Sequence, residues 1–303
     1  MSQLYPYFKI IRPLNCFLSG LSLFIGILIT LGPKILGENL LLFSIGFLII
    51  ILIAAGGFVI NDIYDIEIDK INQPHRILPS GKISLKTAKL YSTGLFIFGV
   101  VLSILVLSFK PIGFNLGLFP PFFVIFGIAS LFLYASYLKK LGVIGNLLIT
   151  GLSGIPFIVG GLFIGDLTRT VFPILLVISV MYSREIIKDV EDIKGDIEAS
   201  DFMLSLPAII GVKNTVNIGK IFMFLTIIFT ALPFIGNTFS YFKSWAVVVM
   251  AMVLDITMIY SIIILNGTED NLIATSKKVK VYLKIGILLG LIGLAFNPFT
   301  KIV

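Results

Sequence analysis

Most of the acidic residues of this 303-residue chain lie in two short segments, each next to a long apolar stretch. Residues 61–69, "NDIYDIEID", follow a run with no charged residue, and residues 185–201 follow another apolar run. Together the two segments hold 11 of the 16 acidic residues. Carboxylates beside hydrocarbon are costly and tend to mark function. A surface that is merely solvated would not concentrate its acid in this way, so we interpret both segments as parts of a functional site.

The spacing of these residues matches the turn of an α-helix. At 100° per residue, four residues of each segment fall on one narrow helix face, whereas Glu67 and Glu191 point elsewhere. The first acidic group consists of Asn61, Asp62, Asp65 and Asp69. The second acidic group consists of Glu185, Asp189, Asp192 and Asp196. Since like charges at i and i+4 repel, each face favours a bound cation. Oxygen ligands of this kind suit Mg²⁺, which combines a few carboxylates with phosphate oxygens.

Basic residues flank both groups: Lys70 and Arg76 near the first, Arg184 and Lys188 near the second. A polyanion such as a diphosphate needs N–H donors as well as a metal. The diphosphate of an allylic lipid is a leaving group, and the cation left behind must be shielded from water in an apolar cavity. The pattern therefore favours a substrate with a polyanionic head and a hydrocarbon tail. For any single aspartate, a helix cap or a solvated carboxylate is the alternative.

Composition places these segments in a membrane protein, because 57% of the residues are hydrophobic and only 13% are charged. We predict an all-α polytopic protein of about nine transmembrane helices around a central cavity, forming a single domain over 1–303 with acidic cytoplasmic cap loops after helices 2 and 6. The apolar runs, close to the ~20 residues that cross a bilayer, are 14–32, 40–60, 88–109, 116–136, 142–165, 168–184, 215–236, 244–265 and 281–299.

The basic residues predict the orientation in the cell membrane. Alternate sides of the nine runs hold 18 and 5 of the 23 Lys and Arg residues. The positive-inside rule then places the N-terminus and the acidic segments in the cytoplasm and the C-terminus outside. In a membrane protein the net charge of +7 does not imply nucleic-acid binding. No protein partner is evident, and the single cysteine, Cys16, cannot form an intramolecular disulfide.

The motifs resemble those of the UbiA-type intramembrane prenyltransferases. "NDIYDIEID" fits the NxxxDxxxD signature of that family, and "DVEDIKGD" fits its second aspartate-rich motif. "IRPLN", "QPHRILPSGKIS" and "YASYLKKLGVIGN" match as well, although the resemblance weakens after about residue 215. Ile77 departs from the pattern, since many members have proline there, and we expect only a local change of the loop.

The resemblance implies roles for individual residues. The implied Mg²⁺ ligands are Asn61, Asp62, Asp65, Asp69, Asp189, Asp192 and Asp196. The implied diphosphate-binding residues are Asn61, Arg76, Lys139 and Lys188, with Tyr134 or Tyr137 facing the allylic carbon. The residues implied in catalysis are Asp65, Asp69, Asp192, Asp196 and Lys188. A phosphate-bearing acceptor needs a further basic locus, for which the candidates are Arg12, Asn15, Lys86, Lys139, Lys140 and Arg184.

Within the family, the chain is most similar to the archaeal ether-lipid branch. This implies Mg²⁺-dependent transfer of geranylgeranyl from its diphosphate to the free hydroxyl of geranylgeranylglyceryl phosphate, with a prenyl diphosphate donor, a lipid acceptor and membrane lipid as partners. An aromatic acceptor and a membrane transporter are the alternatives. A CDP-alcohol phosphotransferase is disfavoured because its DG…AR pattern is missing around both motifs. His75 is expected at the surface. Asp255, inside a span, is either functional or hydrogen-bonded to a neighbouring helix.

Overall fold

The computed structural model describes residues 4–32, 40–108, 119–162, 167–199, 205–235 and 237–301. Within these ranges the chain is helical, and its one β-type contact is an isolated bridge between Ser244 and Lys301. The α-helices of the described ranges are α1 (Tyr5–Ile10), α2 (Pro13–Leu31), α3 (Leu40–Tyr64), α4 (Ile66–Asn72), α5 (Leu85–Leu105), α6 (Phe119–Ser136), α7 (Val143–Leu162), α8 (Thr168–Ala199), α9 (Leu206–Ile210), α10 (Val212–Ala231), α11 (Trp245–Ile264) and α12 (Glu269–Phe296).

Each of the nine apolar runs coincides with one long helix, which confirms an all-α polytopic membrane protein. Eight helices of the described part are long and apolar enough to cross a membrane, namely α2, α3, α5, α7, α8, α10, α11 and α12 with short extensions. The apolar part of α6, Pro120–Ser136, is shorter, and residues 109–118 before it lie outside the described ranges. The count of nine spans, the central cavity and the single domain therefore stay predictions.

The chain forms two compact units. The first unit comprises residues 1–24, 37–149 and 194–203. Its helices α3, α5 and α6 pack closely because glycines on α3 leave room for larger side chains. A Cβ at Gly56 would lie 2.5 Å from the Phe96 ring of α5, and one at Gly57 would lie 2.8 Å from Leu131 of α6. The Ser92 hydroxyl also donates to the Gly56 carbonyl at 2.9 Å. Small residues at such contacts are typical of membrane helices.

The first acidic segment does not form one continuous helix with α3. The helix ends at Tyr64, Asp65 adopts φ −87° and ψ 0°, and α4 begins at Ile66. Hydrogen bonds with i→i+4 spacing nevertheless continue through this joint, since the Asp65 amide donates to Asn61 and the Asp69 amide donates to Asp65. The helical spacing assumed for the first acidic group therefore holds approximately across the joint.

The second unit comprises residues 25–36, 150–193 and 204–303. A Cβ at Gly160 of α7 would lie 2.7–2.8 Å from the backbone of Gly26 on α2, so these two helices pack backbone to backbone. On the other side of the unit, the Thr226 hydroxyl of α10 donates to Ser179 of α8 at 2.9 Å. The Thr230 hydroxyl donates to the Asp255 carboxylate of α11 at 2.8 Å. Asp255 thus makes the hydrogen bond to a neighbouring helix that is one of the two roles expected for it.

Helix α8 is longer than the apolar run that predicted it. The helix continues past residue 184 to Ala199, so it carries the whole second acidic group. The sequence predicts a cap loop for this acidic segment, which contains a glycine, Gly195. The helix does not break there, although the side chains of residues 194–196 lie outside the described part. A single glycine in a helix costs only about 1 kcal/mol, which the rest of a long helix tolerates.

Candidate active site

The carboxylates of the first acidic group are buried. Asp62, Asp65 and Asp69 are 5%, 4% and 4% exposed, whereas Glu67, between them in sequence, is exposed and pairs with Lys70 on the surface of α4. The helical spacing predicted this division between one inward face and one outward residue. Buried carboxylates are expensive unless they are paired, so their partners define the chemistry of the site.

Asp65 accepts from two residues that the sequence assigns to the same site. The Asn61 side-chain amide, one turn earlier on α3, donates to Asp65 Oδ2 at 2.6 Å. Lys139 Nζ, from the 3₁₀ turn Leu138–Leu141 after α6, donates to the same oxygen at 2.5 Å. A proposed diphosphate donor therefore lies on a proposed metal ligand, and this arrangement suits a metal–diphosphate complex that needs a carboxylate and a cation side by side.

Asp69 is paired with Arg76. The Arg76 Nη1 donates to Asp69 Oδ2 at 2.6 Å, and its Nε donates to the side-chain oxygen of Gln73 at 2.9 Å. Burial raises the pKa of the Asp69 carboxyl, although the Arg76 charge acts in the opposite direction. Burial by itself lowers the pKa of Arg76, but the charges of Asp69 and Asp62 outweigh it, so the pKa of this guanidinium is raised. Arg76 thus remains a cation at the rim of the membrane.

Asp62 contacts two guanidinium groups. Arg12 Nη2 donates to Asp62 Oδ1, and Arg76 Nη1 lies 3.6 Å from the same oxygen. The Arg12 guanidinium also lies over the Phe58 ring, 5.1 Å from its centre, which is a cation–π contact. Arg12, expected only as a weak acceptor-binding candidate, therefore belongs to the same cluster as the first acidic group.

An apolar cluster holds the loops that carry these two arginines. It consists of Ile10, Val59, Ile77, Leu78, Ile83 and Ala88, all buried, from α1, α3, α5 and the loop between α4 and α5. Ile77, the departure from the family pattern, is 3% exposed and fills part of this cluster. Ile77 directly follows Arg76, and Ile10 lies two residues before Arg12, so this core packs beside both arginines in the sequence.

In the second acidic group, Glu185 forms ion pairs with cations of its own helix. Glu185, which the resemblance assigns no role, is buried and contacts Arg184 and, at 3.6 Å, Lys188. Asp189 and Asp192 are half-buried on the same helix. The Asp196 side chain lies outside the part that the structure describes. Glu185 is therefore the residue that joins two of the predicted cations.

Lys280 is a residue that sequence reasoning missed. This lysine on α12 forms an ion pair with Glu191 of α8, whose side chain leaves the acidic face as predicted. A further contact holds α8 in place, since the rings of Tyr182 and Phe222 lie 4.4 Å apart. Nothing in the sequence of α12 distinguishes Lys280 from Lys277 or Lys278, because the pairing depends on which helix faces meet.

The remaining predicted residues differ in exposure. Tyr134 is buried, whereas Tyr137 is exposed, so Tyr134 is the better placed of the two tyrosines proposed to face the allylic carbon. Asn15 and Arg184 are half-buried, and His75 is exposed as expected.

The donor set fits Mg²⁺ held together with a substrate. Among the described residues, no group of three or more Asp, Glu, His or Cys side chains is arranged to hold a metal ion unaided. Mg²⁺ is usually bound through one or two carboxylates plus substrate phosphates, not by an all-protein cage. Asn61, Asp65 and Asp69 offer such a partial set of oxygen ligands, with Lys139 and Arg76 beside them for the phosphate.

The fold and these contacts define a polytopic membrane protein with buried carboxylate–cation pairs where α3 and α4 meet. The chain belongs to the UbiA prenyltransferase family, whose model matches residues 19–296. The digeranylgeranylglyceryl phosphate synthase of Sulfolobus acidocaldarius is 36% identical over 278 residues, which is 91% of this chain and 93% of that protein.

Solved structures agree with this assignment. A structure from work on digeranylgeranylglyceryl phosphate synthase in membranes is 32% identical, covers 98% of this chain and 99% of its own, and gives a TM-score of 0.69. A UbiA homolog from Archaeoglobus fulgidus bound to GPP and Mg²⁺ shares the fold at 17% identity, with a TM-score of 0.63 and coverage of 94% and 99%.

Proposed function

We propose that this protein transfers a geranylgeranyl group from geranylgeranyl diphosphate to the free hydroxyl of geranylgeranylglyceryl phosphate, in the manner of a digeranylgeranylglyceryl phosphate synthase. The observation that carries the proposal is the pairing of buried Asp65 and Asp69 with Lys139 and Arg76 at the end of a membrane span. The choice of acceptor is supported by the similarity to synthases of this name over more than nine-tenths of the chain.

The family pattern implies magnesium ligands in both acidic groups. Asn61, Asp65 and Asp69 hold Mg²⁺ from the first group, and the carboxylates of the second group that do so are Asp189, Asp192 and Asp196. When bound, Mg²⁺ neutralises the charge of the diphosphate and so makes it a better leaving group. Asp62 is implied in the same set by the family pattern, although its contacts with Arg12 and Arg76 favour a different role.

The cations beside these carboxylates stabilise the leaving group. Lys139, Arg76 and Lys188 donate N–H groups to diphosphate oxygens, where charge develops as the carbon–oxygen bond of the donor breaks. The diphosphate leaves with the bonding electron pair, and the prenyl carbon becomes an allylic cation. The buried ring of Tyr134 stabilises that cation through its π face.

The acceptor completes the reaction with its free hydroxyl. The hydroxyl oxygen attacks the allylic carbon, a new ether bond forms, and the hydroxyl proton leaves to water or to the departing diphosphate. An alcohol is a weaker nucleophile than an electron-rich ring, so ionisation of the donor carries most of the barrier. Arg12, Asn15 and Arg184 bind the polar part of the acceptor.

The orientation follows from the distribution of charge. The N-terminus and both acidic groups face the cytoplasm and the C-terminus lies outside, because 18 of the 23 basic residues fall on the side of the acidic groups. Both substrates then reach the polar residues from the cytoplasmic leaflet with their tails in lipid.

The test is product detection by mass spectrometry from purified protein, geranylgeranyl diphosphate and geranylgeranylglyceryl phosphate, with and without Mg²⁺. We expect a Mg²⁺-dependent ether product that Asp65→Asn and Asp192→Asn both abolish, while Glu67→Gln, which removes an exposed carboxylate of the same segment, retains activity. Prenylation of an aromatic acceptor alone would keep the chemistry and overturn the acceptor. A donor that is never consumed would contradict prenyl transfer and favour transport.

A further inference from the structure

Asp62 differs from the other carboxylates of the first acidic group in its partners. Asp65 accepts from Lys139 and Asn61, and Asp69 accepts from Arg76. Asp62 lies between two guanidinium groups, because Arg12 donates to its Oδ1 and Arg76 lies 3.6 Å from the same atom. A carboxylate shared by two arginines has its charge more than balanced, so it attracts a metal cation less than Asp65 or Asp69 does.

The backbone of Arg12 indicates that this arrangement is imposed by its surroundings. Arg12 has φ +52°, and among the described residues it is the one non-glycine with a positive φ. A long side chain adopts this conformation only when the structure around it compensates for the strain, and such residues cluster at functional sites. Here the compensation comes from Asp62 on one side and the Phe58 ring on the other.

The Arg12 guanidinium is held but remains accessible. Its side chain is 31% exposed, whereas the Asp62 side chain is 7% exposed. A guanidinium offers five N–H donors in a planar fork that matches the oxygens of a phosphate. The contact with Asp62 uses one end of the fork, so the other end can bind an anion.

Arg76 connects this locus to the metal side of the site. Its Nη1 donates to Asp69 at 2.6 Å and lies 3.6 Å from Asp62. The order of contacts is therefore Arg12, Asp62, Arg76 and Asp69, with charges of alternating sign. In this series of contacts, Arg12 is the residue farthest from Asp69, which is a proposed metal ligand.

We propose that Asp62 is a positioning residue, not a magnesium ligand, and that it holds Arg12 as the guanidinium site for the phosphate group of the acceptor, beside Arg76 on the diphosphate side. This rests on the proposed function, which supplies an acceptor that bears a phosphate. The buried carboxylate offsets the repulsion between two neighbouring cations in a medium of low dielectric constant. It also keeps the open end of the Arg12 fork turned towards the ligand.

The first experiment compares geranylgeranylglyceryl phosphate with geranylgeranylglycerol, which lacks the phosphate, as acceptors for wild type and Asp62→Asn. We expect the substitution to raise the KM for the phosphorylated acceptor by about 10-fold or more, the effect of a lost charge-assisted hydrogen bond. The KM for the donor and the rate with geranylgeranylglycerol should stay within about twofold of wild type. Equal losses with both acceptors would overturn the phosphate site.

The second experiment measures metal binding without turnover. Mn²⁺ binding to the protein in detergent is followed by electron paramagnetic resonance in the presence of a non-reactive thiolodiphosphate analogue of the donor. We expect Asp62→Asn to bind Mn²⁺ like wild type, whereas Asp65→Asn loses the bound signal. Loss of Mn²⁺ in Asp62→Asn at unchanged melting temperature would make Asp62 a metal ligand and end the proposal.

Two variants guard against a folding defect. Arg12→Lys keeps the charge but loses the fork, and we expect the same selective rise in KM for the phosphorylated acceptor with an unchanged melting temperature. Glu67→Gln removes an exposed carboxylate from the same segment and should change neither measurement. If wild type makes no ether from the phosphorylated acceptor, the proposed function fails. If wild type makes it but Asp62→Asn does not discriminate between acceptors, only this inference fails.

Discussion

The two acidic groups are held by different means. In the first group, the cations come from distant parts of the sequence, since Lys139 lies 74 residues from Asp65 and Arg12 lies 50 residues from Asp62. In the second group, Glu185 contacts the adjacent Arg184 and Lys188 one turn later. The cations of the first group are thus brought in by tertiary packing around α3, whereas the two cations beside Glu185 are supplied by α8 itself. Removal of a cation should therefore affect stability more at the first group than at Glu185.

The largest loss of activity is expected when a metal ligand is removed from either acidic group. Asp65→Asn and Asp192→Asn should each lower kcat/KM by about 100-fold or more, because each removes an oxygen ligand of the metal–diphosphate. The double variant should be no worse than the poorer single variant, since residues that act as one unit are not additive. Steady-state kinetics at saturating Mg²⁺ provide the measurement. Multiplication of the two losses would show that the groups serve different ligands.

Removal of one lysine beside each acidic group should lower the free energy of unfolding by different amounts. Lys139→Ala takes away the charge that compensates the buried Asp65 carboxylate and should lower the free energy of unfolding by about 3 kcal/mol. Lys188→Ala should cost less than about 1 kcal/mol, because Arg184 still contacts Glu185. Denaturation in detergent micelles measures both. Lys70→Ala, whose partner Glu67 is exposed, is the control and should be near neutral.

The ion pair between Lys280 of α12 and Glu191 of α8 can be tested by charge reversal. Lys280→Ala should lower kcat by about 10-fold, as other losses of a supporting partner around a metal site do, because α8 loses a contact that orients its acidic face. Exchange of the charges in a Glu191→Lys, Lys280→Glu double variant should restore most of the rate. A double variant as slow as Lys280→Ala would contradict an orienting role for the ion pair.

The smallest effect is expected inside the membrane. Thr230→Val removes the hydroxyl that donates to Asp255 and should cost about 0.6 kcal/mol of stability, typical of a hydrogen bond between membrane helices. The matched control is Thr257→Val, since the Thr257 hydroxyl bonds only to the Val253 carbonyl of its own helix among the contacts described. Prenyl transfer should be unchanged in both, and a large loss in Thr230→Val would assign Asp255 a part in the reaction.

Much of this arrangement could be predicted from the sequence, because two kinds of information are local. Apolar run length gave each of the nine long helices, and helical spacing separated the buried Asp62, Asp65 and Asp69 from the exposed Glu67. The extents of α8 and α12 were missed, because a run-length criterion stops where charges begin even if the helix does not. Helix α12 begins at Glu269, twelve residues before its apolar run.

The pairings could not be predicted, because they depend on which faces of distant helices meet. Lys280 is one of four lysines near the start of the last span, and only packing selects it for Glu191. Arg12 was identified as a candidate for the acceptor, but its contact with Asp62 depends on a backbone conformation that no residue preference indicates. Spacing and the family resemblance group Asp62 with Asp65 and Asp69, and only its contacts with Arg12 and Arg76 favour a separate role.

The separation between Asp65 and Lys139 also constrains how the protein is made. The ribosome adds about 5–20 residues per second, so Lys139 is synthesised on the order of 4–15 s after the carboxylate that it neutralises. During that interval α3 and α5 can enter the membrane, but Asp65 lacks the ion pair with Lys139. The first acidic group therefore reaches its final form only after the chain has been translated beyond α6, and a truncated chain that ends before this point should remain an incompletely assembled intermediate.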